Sequence, residues 1–299
     1  MKKSPGRLRT AVSCTVVPLL TLFAAGAARA AACDARLASA IPPRAADAPS
    51  GSRFVQRLQG MDDDAREAAI LGEVLAGNVP QFLRRLAPVT LRARGGSDPA
   101  VICVTPDYLA IGSDDDYFLA PMRLETALAI AGRFGFTLPT RKMVDAIYAQ
   151  AQVQLQPQPL PAGDTMRSTG YYWRHNLMVR GQRAAAGAPL GSLTAGDKKD
   201  LVLSDRLWLM QDRVAIYGWH QPGGRPIQPL STVHGWRYAD YSHGVRLIAG
   251  SAYIGDAEQP LLPALGEDRL ASWFSDEGPI PRLSSLIGLL GRHSIIAGM

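Results

Sequence analysis

Beyond its first 30 residues, the 299-residue chain has no long uninterrupted apolar run. A membrane-spanning helix needs roughly 20 consecutive apolar residues, so we expect none after the N-terminal stretch. An excess of one charge is also absent. Residues 1–30 carry five of the 32 Lys and Arg residues and none of the 26 Asp and Glu residues, which leaves a net charge of +1 for the rest. This balance argues against nucleic acid as a partner, because nucleic-acid binding depends on clustered basic side chains.

Cysteine is scarce as well, with three residues in the chain. Cys14 lies in the apolar N-terminal stretch, which leaves Cys33 and Cys103 as a pair. In an oxidising compartment, such a pair predicts a disulfide between the N-terminal arm and the body of the protein. The alternative is a nucleophilic thiol at Cys103, but "AVICV" places this residue inside an apolar strand-like run, where nothing lowers the pKa of a thiol.

The N-terminus has the composition of a secretory signal peptide. Basic residues precede an apolar run over residues 11–27, and Ala28-Arg29-Ala30 fits a cleavage site before Ala31. We therefore expect export to the periplasm or the extracellular space. A lipid anchor at Cys33 is the alternative; alanines rather than a Leu-led lipobox precede this cysteine, which favours cleavage.

The remaining chain predicts one α+β domain, with an N-terminal helical part followed by a mainly antiparallel β-rich part. Residues 31–60 are expected to form an extended arm and residues 61–299 a single globular domain. Within that domain we predict a helix-rich part over 61–152, a β-rich part over 165–257 and a C-terminal helix over 280–291. The strand candidates are "TGYYWRHNLMVRG", "KKDLVLS", "RVAIYGWH", "RPIQPL" and "GVRLIAGSAYIGD". Because helices and strands are segregated along the chain, alternating βαβ units are not expected.

Residues 171–243 contain no Phe, yet they hold four of the five His, four of the five Trp and five of the nine Tyr residues. Trp and Tyr carry polar atoms that need partners, so this composition favours a partly wet cleft with aromatic walls. The alternative is a β-rich core in which backbone carbonyls satisfy the histidines.

The candidate catalytic residues lie mainly in "STVHGWRYADYSHGVRLI", residues 231–248. They are His234, Asp240 and His243, with His220 as a fourth from the neighbouring hairpin. A carboxylate beside an imidazole suits general acid–base catalysis. The same four residues are also suitable ligands for a divalent metal such as zinc. Because residues three apart on a strand face opposite sides, simultaneous metal ligation by Asp240 and His243 requires a turn at "DYSHG".

Two other patterns in this stretch are incomplete. "DYSHG" approaches the D-x-S-x-G outline of a nucleophile elbow at Ser242, but the apolar strand follows the serine instead of preceding it. The order HG…SHG resembles the HG…SHGC signature of L,D-transpeptidases, with Val245 in place of the nucleophilic cysteine. We predict neither activity.

These features together predict a secreted or periplasmic hydrolase of an extracytoplasmic glycan or peptidoglycan. Sugars stack on the faces of Trp and Tyr, while histidine and carboxylate groups transfer protons. We expect Trp219, Tyr241 and Arg246 to contact the substrate. The alternative is a non-catalytic periplasmic protein that binds a glycan or peptide or takes part in envelope assembly.

Overall fold

The computed structural model describes residues 40–93 and 98–296, together with Met1, Cys33 and Gly95. The predicted signal peptide lies outside these residues apart from Met1. Residues 31–39 of the predicted arm also lie outside them, apart from Cys33. In the described ranges, no helix combines the length and the apolar composition needed to cross a membrane.

The described part of the chain contains eight α-helices and thirteen strands. The helices are α1 (Gly51–Arg57), α2 (Asp63–Leu75), α3 (Leu124–Phe134), α4 (Arg141–Gln150), α5 (Thr169–Ala185), α6 (Leu261–Gly266), α7 (Ala271–Phe274) and α8 (Leu283–Ile296). The strands are β1 (Ala87–Arg92), β2 (Pro99–Val104), β3 (Ala110–Gly112), β4 (Tyr117–Leu119), β5 (Phe136–Thr137), β6 (Val153–Gln154), β7 (Thr194–Ala195), β8 (Lys199–Leu201), β9 (Ile216–His220), β10 (Pro226–Ser231), β11 (His243–Gly244), β12 (Ile248–Ile254) and β13 (Ala257–Pro260). A helical N-terminal region followed by a β-rich part confirms the predicted α+β class.

The larger sheet forms the centre of the hydrophobic core. Its strand order is β1-β2-β12-β13, with β5 also paired to β12, and all its pairings are antiparallel. β2 is buried over Ala100–Val104, because it has a strand on each side and the apolar run "AVICV" fills both faces. Helices α4 and α7 pack against β1, and α6 packs against β12.

The smaller sheet, with the order β10-β9-β8-β11, carries three of the seven candidate residues, Trp219, His220 and His243. β8 pairs antiparallel with β9, whereas β11 pairs parallel with β8 and places His243 opposite Lys199. Gly244 permits this approach, because a Cβ atom there would lie 2.6 Å from the Tyr108 ring and 2.7 Å from Cβ of Lys198. The sheet therefore fixes His243 beside the charged segment "DKKD", residues 197–200.

The strand predicted at "TGYYWRHNLMVRG" is wrong, because this segment forms helix α5. Ser168 begins the helix by accepting a hydrogen bond from the Tyr171 N–H at 3.3 Å. Several residues on the buried face are polar, so the helical period is hidden when only apolar residues are counted. The buried residues are Thr169, Tyr172, His175, Asn176, Val179 and Arg183.

The predicted extended arm is also wrong in part, because residues 51–57 form helix α1. Phe54, Val55 and Leu58 are at most 3% exposed and belong to the core. Their spacing places all three on one helical face. A helix of this length shows too little periodicity to be distinguished from the Ala- and Pro-rich sequence before it.

The disulfide prediction is confirmed. Cys33 and Cys103 are bonded, with their Cα atoms 5.3 Å apart and a sequence separation of 70. Both cysteines are fully buried. The bond attaches the N-terminal segment to β2 at the centre of the larger sheet.

The helices of the first half begin and end at residues suited to these positions. α2 follows the N-cap Asp62, α3 ends before Gly135 in a left-handed conformation, and α4 follows the N-cap Thr140. The aspartates of "MDDDA" therefore lie in the first turn of a helix, where carboxylates interact favourably with the helix dipole.

Replacing Asp62 with Ala should lower the free energy of unfolding by about 1 kcal/mol. The Ala65 N–H donates to Asp62 Oδ1 at 2.8 Å and would lose this partner. Urea unfolding measures the difference. Asp62→Asn keeps an accepting oxygen and serves as the control, so equal losses for the two variants would show that the cap does not contribute.

Candidate functional site

The turn between the loop after β10 and strand β11 is organised by Asp240. Its Oδ1 accepts hydrogen bonds from the Ser242 N–H at 2.8 Å and from the Ser242 hydroxyl. The His243 N–H donates to the Asp240 carbonyl at 3.1 Å. This is the turn at "DYSHG" that brings Asp240 and His243 to one place, and it forms because Asp side chains readily accept from the backbone two residues on.

Tyr238 connects Asp240 to His234. The Tyr238 hydroxyl donates to Asp240 Oδ2 at 2.9 Å, and its ring stacks on His234 with the centroids 4.0 Å apart. The edge of the same ring meets His243 at a centroid distance of 5.7 Å. The three residues predicted as catalytic thus surround one tyrosine, which the sequence analysis did not select.

The electrostatics hold Asp240 in its ionised form. Burial favours the neutral acid, but the charges of His243 and Lys199 and the hydrogen bonds from Ser242 outweigh it and lower the pKa to about 2. Since His243 is itself neutral above about pH 4, Lys199 and Ser242 supply this stabilisation at neutral pH.

His243 is a buried neutral imidazole. It has no exposed surface, and neither ring nitrogen has a hydrogen-bond partner within the described structure. Burial lowers its pKa to about 4, against the opposing charge of Asp240. Such an unsatisfied buried group is costly, which marks His243 as a position selected for more than packing.

His234 is the accessible imidazole of the cluster. It is half-buried, and burial lowers its pKa while the charge of Asp240 opposes the decrease. The His234 carbonyl accepts from the Val214 N–H at 3.1 Å, so the loop that carries it is tied to the segment before β9. A neutral imidazole at neutral pH that is near an ionised carboxylate can accept a proton.

An open groove of about 470 Å³ lies beside this cluster. It is formed by the turn before α5, the segment before β9 and the loop after β10. Its residues are Arg167, Asp212, Arg213, Gly235, Trp236, Arg237 and Tyr238. Tyr238 belongs both to the groove and to the Asp240 network, and so connects the surface with the buried histidine.

His220, the fourth predicted participant, lies elsewhere. Its Nε2 is 2.9 Å from Asp145 Oδ1, and its ring stacks on Tyr148 with the centroids 4.5 Å apart. These contacts place His220 with helix α4. In the described ranges, no three His, Cys, Asp or Glu side chains are grouped closely enough to hold a metal ion, and His220 does not complete the proposed ligand set.

Trp219 and Tyr241, predicted to contact the substrate, are 4% and 1% exposed. Both rings pack around His175, at centroid distances of 6.2 and 5.0 Å. Trp219 has a φ of 57°, in the left-handed region that bulky residues rarely adopt. Its ring contacts the Lys199 ammonium at 5.1 Å, so these aromatic rings support the charged residues from inside the protein.

Arg246 is buried as well, with 1% of its surface exposed. Its guanidinium donates to the carbonyls of Thr105 at 2.9 Å and Thr194 at 2.7 Å, and it lies 4.3 Å from the centroid of the Tyr108 ring. Arg246 therefore lies inside the protein. This position does not support the predicted contact with a substrate.

A second buried polar pair lies next to these residues. Lys198 is 1% exposed; its ammonium contacts His175 Nδ1 at 3.0 Å and donates to the Tyr241 carbonyl at 2.7 Å. Burial, followed by the charge of Lys198, lowers the pKa of His175 to about 2. Burial lowers the pKa of Lys198 to about 8. His175 is therefore the neutral acceptor in this pair.

Comparisons of the chain with models of protein families, with curated proteins and with solved structures found no match. The candidate function is therefore argued from the site alone.

The residues that the sequence analysis missed are Lys199, Tyr238 and the groove arginines. Lys199 and His243 are 44 positions apart and meet only because β8 and β11 pair. Arg167, Arg213 and Arg237 are spread over 70 residues and share no motif. The alternation of aromatic and basic residues in "HGWRYAD" is the one local signal that could have identified Trp236 and Tyr238 as the groove wall.

Proposed function

We propose that the protein is an exported hydrolase that acts on an extracytoplasmic glycan or peptidoglycan. The observation that carries the proposal is the position of His234, a half-buried neutral imidazole that stacks on Tyr238 of the groove wall and lies within the electrostatic influence of the ionised Asp240. The signal-like N-terminus and the Cys33–Cys103 disulfide support an oxidising compartment outside the cytoplasm.

In this proposal His234 is the general base. It removes a proton from a water molecule while the water oxygen attacks the electrophilic carbon of the substrate and the bond from that carbon to the departing group breaks. The imidazolium that forms is stabilised by Asp240, and it then transfers the proton to the departing group. The accepted and donated protons balance, so the enzyme returns to its starting state.

Tyr238 and His243 are positioning residues. Tyr238 stacks on His234 and donates to Asp240, and thereby fixes the distance between base and carboxylate. His243 packs against the edge of the Tyr238 ring. Trp236 and Tyr238 present aromatic surface in the groove, on which a sugar ring can stack.

The test is mass spectrometry of soluble products after incubation of the protein with purified sacculi and a panel of polysaccharides. We expect new fragments, and we expect His234→Gln to reduce their rate of formation about 100-fold or more while the variant stays folded and bound to the substrate. Arg225→Gln, an exposed change on the β9–β10 hairpin, is the control. A chelator-treated sample reports on any metal requirement.

A second candidate function is binding of the same ligands without turnover. The observation that favours it is the burial of Asp240 and His243, which are 1% and 0% exposed. Retention of the protein on one substrate, with no products from any of them, would support this candidate and contradict the hydrolase. If His234→Gln forms the products at an unchanged rate, His234 does not take part in the reaction.

A further inference from the structure

The groove beside His234 carries a net positive charge. Among the seven residues that line it, three are arginines and one is an aspartate, which leaves a formal charge of +2. The arginine side chains are 41–44% exposed. The groove therefore offers guanidinium groups to the solvent, next to the aromatic rings of Trp236 and Tyr238.

The ion pairs within the protein do not neutralise these arginines one for one. Asp63 is shared by Arg66 at 2.6 Å, Arg123 at 3.8 Å and Arg167. Asp64 is shared by Arg123 at 2.5 Å and Arg237. Glu125 is a further partner of Arg123, at 3.7 Å. Three carboxylates thus serve four guanidinium groups, and each guanidinium has five N–H donors. The third groove arginine, Arg213, has Asp212 at 3.6 Å and donates to the Val233 carbonyl at 2.7 Å.

The arginines lie against the aromatic rings. The guanidinium of Arg237 lies 5.4 Å from the centroid of the Trp236 ring, and that of Arg167 lies 5.8 Å from the centroid of the Tyr238 ring. Backbone hydrogen bonds fix the groove wall, since the Trp236 N–H donates to the Asp212 carbonyl at 2.8 Å and the Tyr238 N–H to the Gly235 carbonyl at 2.9 Å. The charged and aromatic surfaces are therefore held in a defined arrangement before any ligand binds.

A second open groove, of about 430 Å³, shares Arg167 with the first. It is lined in addition by Arg66, by Asp63 and Asp164, and by the residues around Gly60 and Ser168. Its two arginines and two aspartates balance, so the net positive charge belongs to the first groove. Two neighbouring grooves joined at an arginine can accommodate consecutive units of a polymer more readily than a single small molecule.

We infer that these grooves bind a saccharide that carries carboxylates, with the sugar rings on Trp236 and Tyr238 and the carboxylates on Arg167, Arg213 and Arg237. A carboxylate accepts two parallel N–H bonds from a guanidinium, which a neutral hydroxyl cannot do. The inference rests on the proposed function in that it takes a glycan as the ligand, and it specifies an acidic one. It adds that the sugar unit on Tyr238 lies next to His234.

The experiment is calorimetric titration of the purified protein, with its disulfide intact, using an oligogalacturonate and a neutral galacto-oligosaccharide of the same length. We expect the acidic oligomer to bind more tightly, with an affinity that falls as salt is added. Arg167→Gln and Arg237→Gln should each weaken its binding roughly tenfold, whereas Arg225→Gln should not. Thermal unfolding of each variant verifies that it is folded.

Equal affinity for the neutral and acidic oligomers, or an acidic affinity unchanged when all three groove arginines are replaced by Gln, would overturn the inference. Competition by free acetate or sulfate at the same concentration as the oligomer would show a simple anion site and also overturn it. A small carboxylated peptide that binds as well as the oligogalacturonate would exclude a saccharide-specific site.

The two proposals fail separately. Product formation from a neutral glycan that depends on His234 would support the hydrolase even if the arginines proved irrelevant. Tight binding of the acidic oligomer without products would support the binding inference and contradict the hydrolase.

Discussion

Replacing Arg246 with Met should lower the free energy of unfolding by about 3–5 kcal/mol, because two buried carbonyls would each lose a charged hydrogen-bond donor. Arg246 is 1% exposed, and its charge interacts with Asp107, Asp197 and Asp200, which are at most 2% exposed. Without the guanidinium, Asp107 and Asp200 would lose the charge that most favours their ionised forms, whereas Asp197 would keep Lys198.

The carboxyl groups around Arg246 already resist ionisation. Burial raises the pKa of Asp107 to about 7, with a further contribution from Asp197, and burial raises the pKa of Asp200 to about 6. Both oxygens of Asp197 lack a hydrogen-bond partner among the described residues. Removal of the Arg246 charge should raise these pKa values further, because the charge favours the ionised forms.

The destabilisation of Arg246→Met should therefore depend on pH. At pH 8 the variant must either ionise buried carboxyl groups without the cation or keep them protonated although this pH favours ionisation. At pH 5 these groups are protonated and need no cation. Urea unfolding at both values should show the larger loss at pH 8. Arg225→Met, an exposed change, should stay within about 0.5 kcal/mol of the unmodified protein.

The same experiment tests the sequence-based role of Arg246. If Arg246→Met unfolds like the unmodified protein but no longer binds the glycan, then Arg246 contacts the ligand as the sequence predicted, and its internal position would require a change of conformation. Loss of stability with ligand affinity retained at low temperature would establish the internal role.

The parts of the fold that could be predicted are those with apolar periodicity. Helix α3 places Leu124, Ala127, Leu128 and Ala131 on one buried face, and this spacing is visible in the sequence. Helix α5 instead buries His175, Asn176 and Arg183. Their partners come from β4, the residue before β8 and the loop after α5, so only the tertiary structure makes their burial favourable, and propensity arguments fail for them.

The candidate site was predictable where its contacts are local. Asp240, Ser242 and His243 form a turn through hydrogen bonds within three residues, and an Asx-type turn follows from the residue types. Whether an aromatic ring faces solvent is not local. Trp219 and Trp236 occur in similar aromatic and basic surroundings, yet the first is 4% exposed inside the smaller sheet and the second lines the groove.

The free energy of unfolding of the unmodified protein, minus that of a variant without His243, should be about 3 kcal/mol larger at pH 7 than at pH 4. The pKa of His243 is lowered from 6.5 to about 4 in the folded protein. Below pH 6.5 the unfolded chain binds a proton that the folded protein does not. The stability that depends on neutral His243 is therefore complete above pH 6.5 and is lost as the pH falls towards 4.

The pH profile of the unmodified protein does not isolate this effect. Burial raises the pKa of Glu67 to about 7, as it does for Asp107, and Asp200 is raised to about 6. In these groups the folded state holds the extra proton, so their contributions fall as the pH rises and oppose that of His243. Subtraction of a variant that lacks only His243 removes these common contributions.

Two variants separate proton binding from packing. His243→Phe and His243→Gln do not titrate in this range, but they differ in shape and polarity, so each should shift the free energy of unfolding by a different constant. The pH dependence of the difference from the unmodified protein should nevertheless be the same for both. Urea unfolding at intervals between pH 4 and 7 measures it. A difference that does not vary with pH would mean that His243 has the same pKa in the folded protein as in the unfolded chain, and a difference that grows as the pH falls would mean that Asp240 stabilises it as an imidazolium. Either result would leave His175 as the buried neutral imidazole.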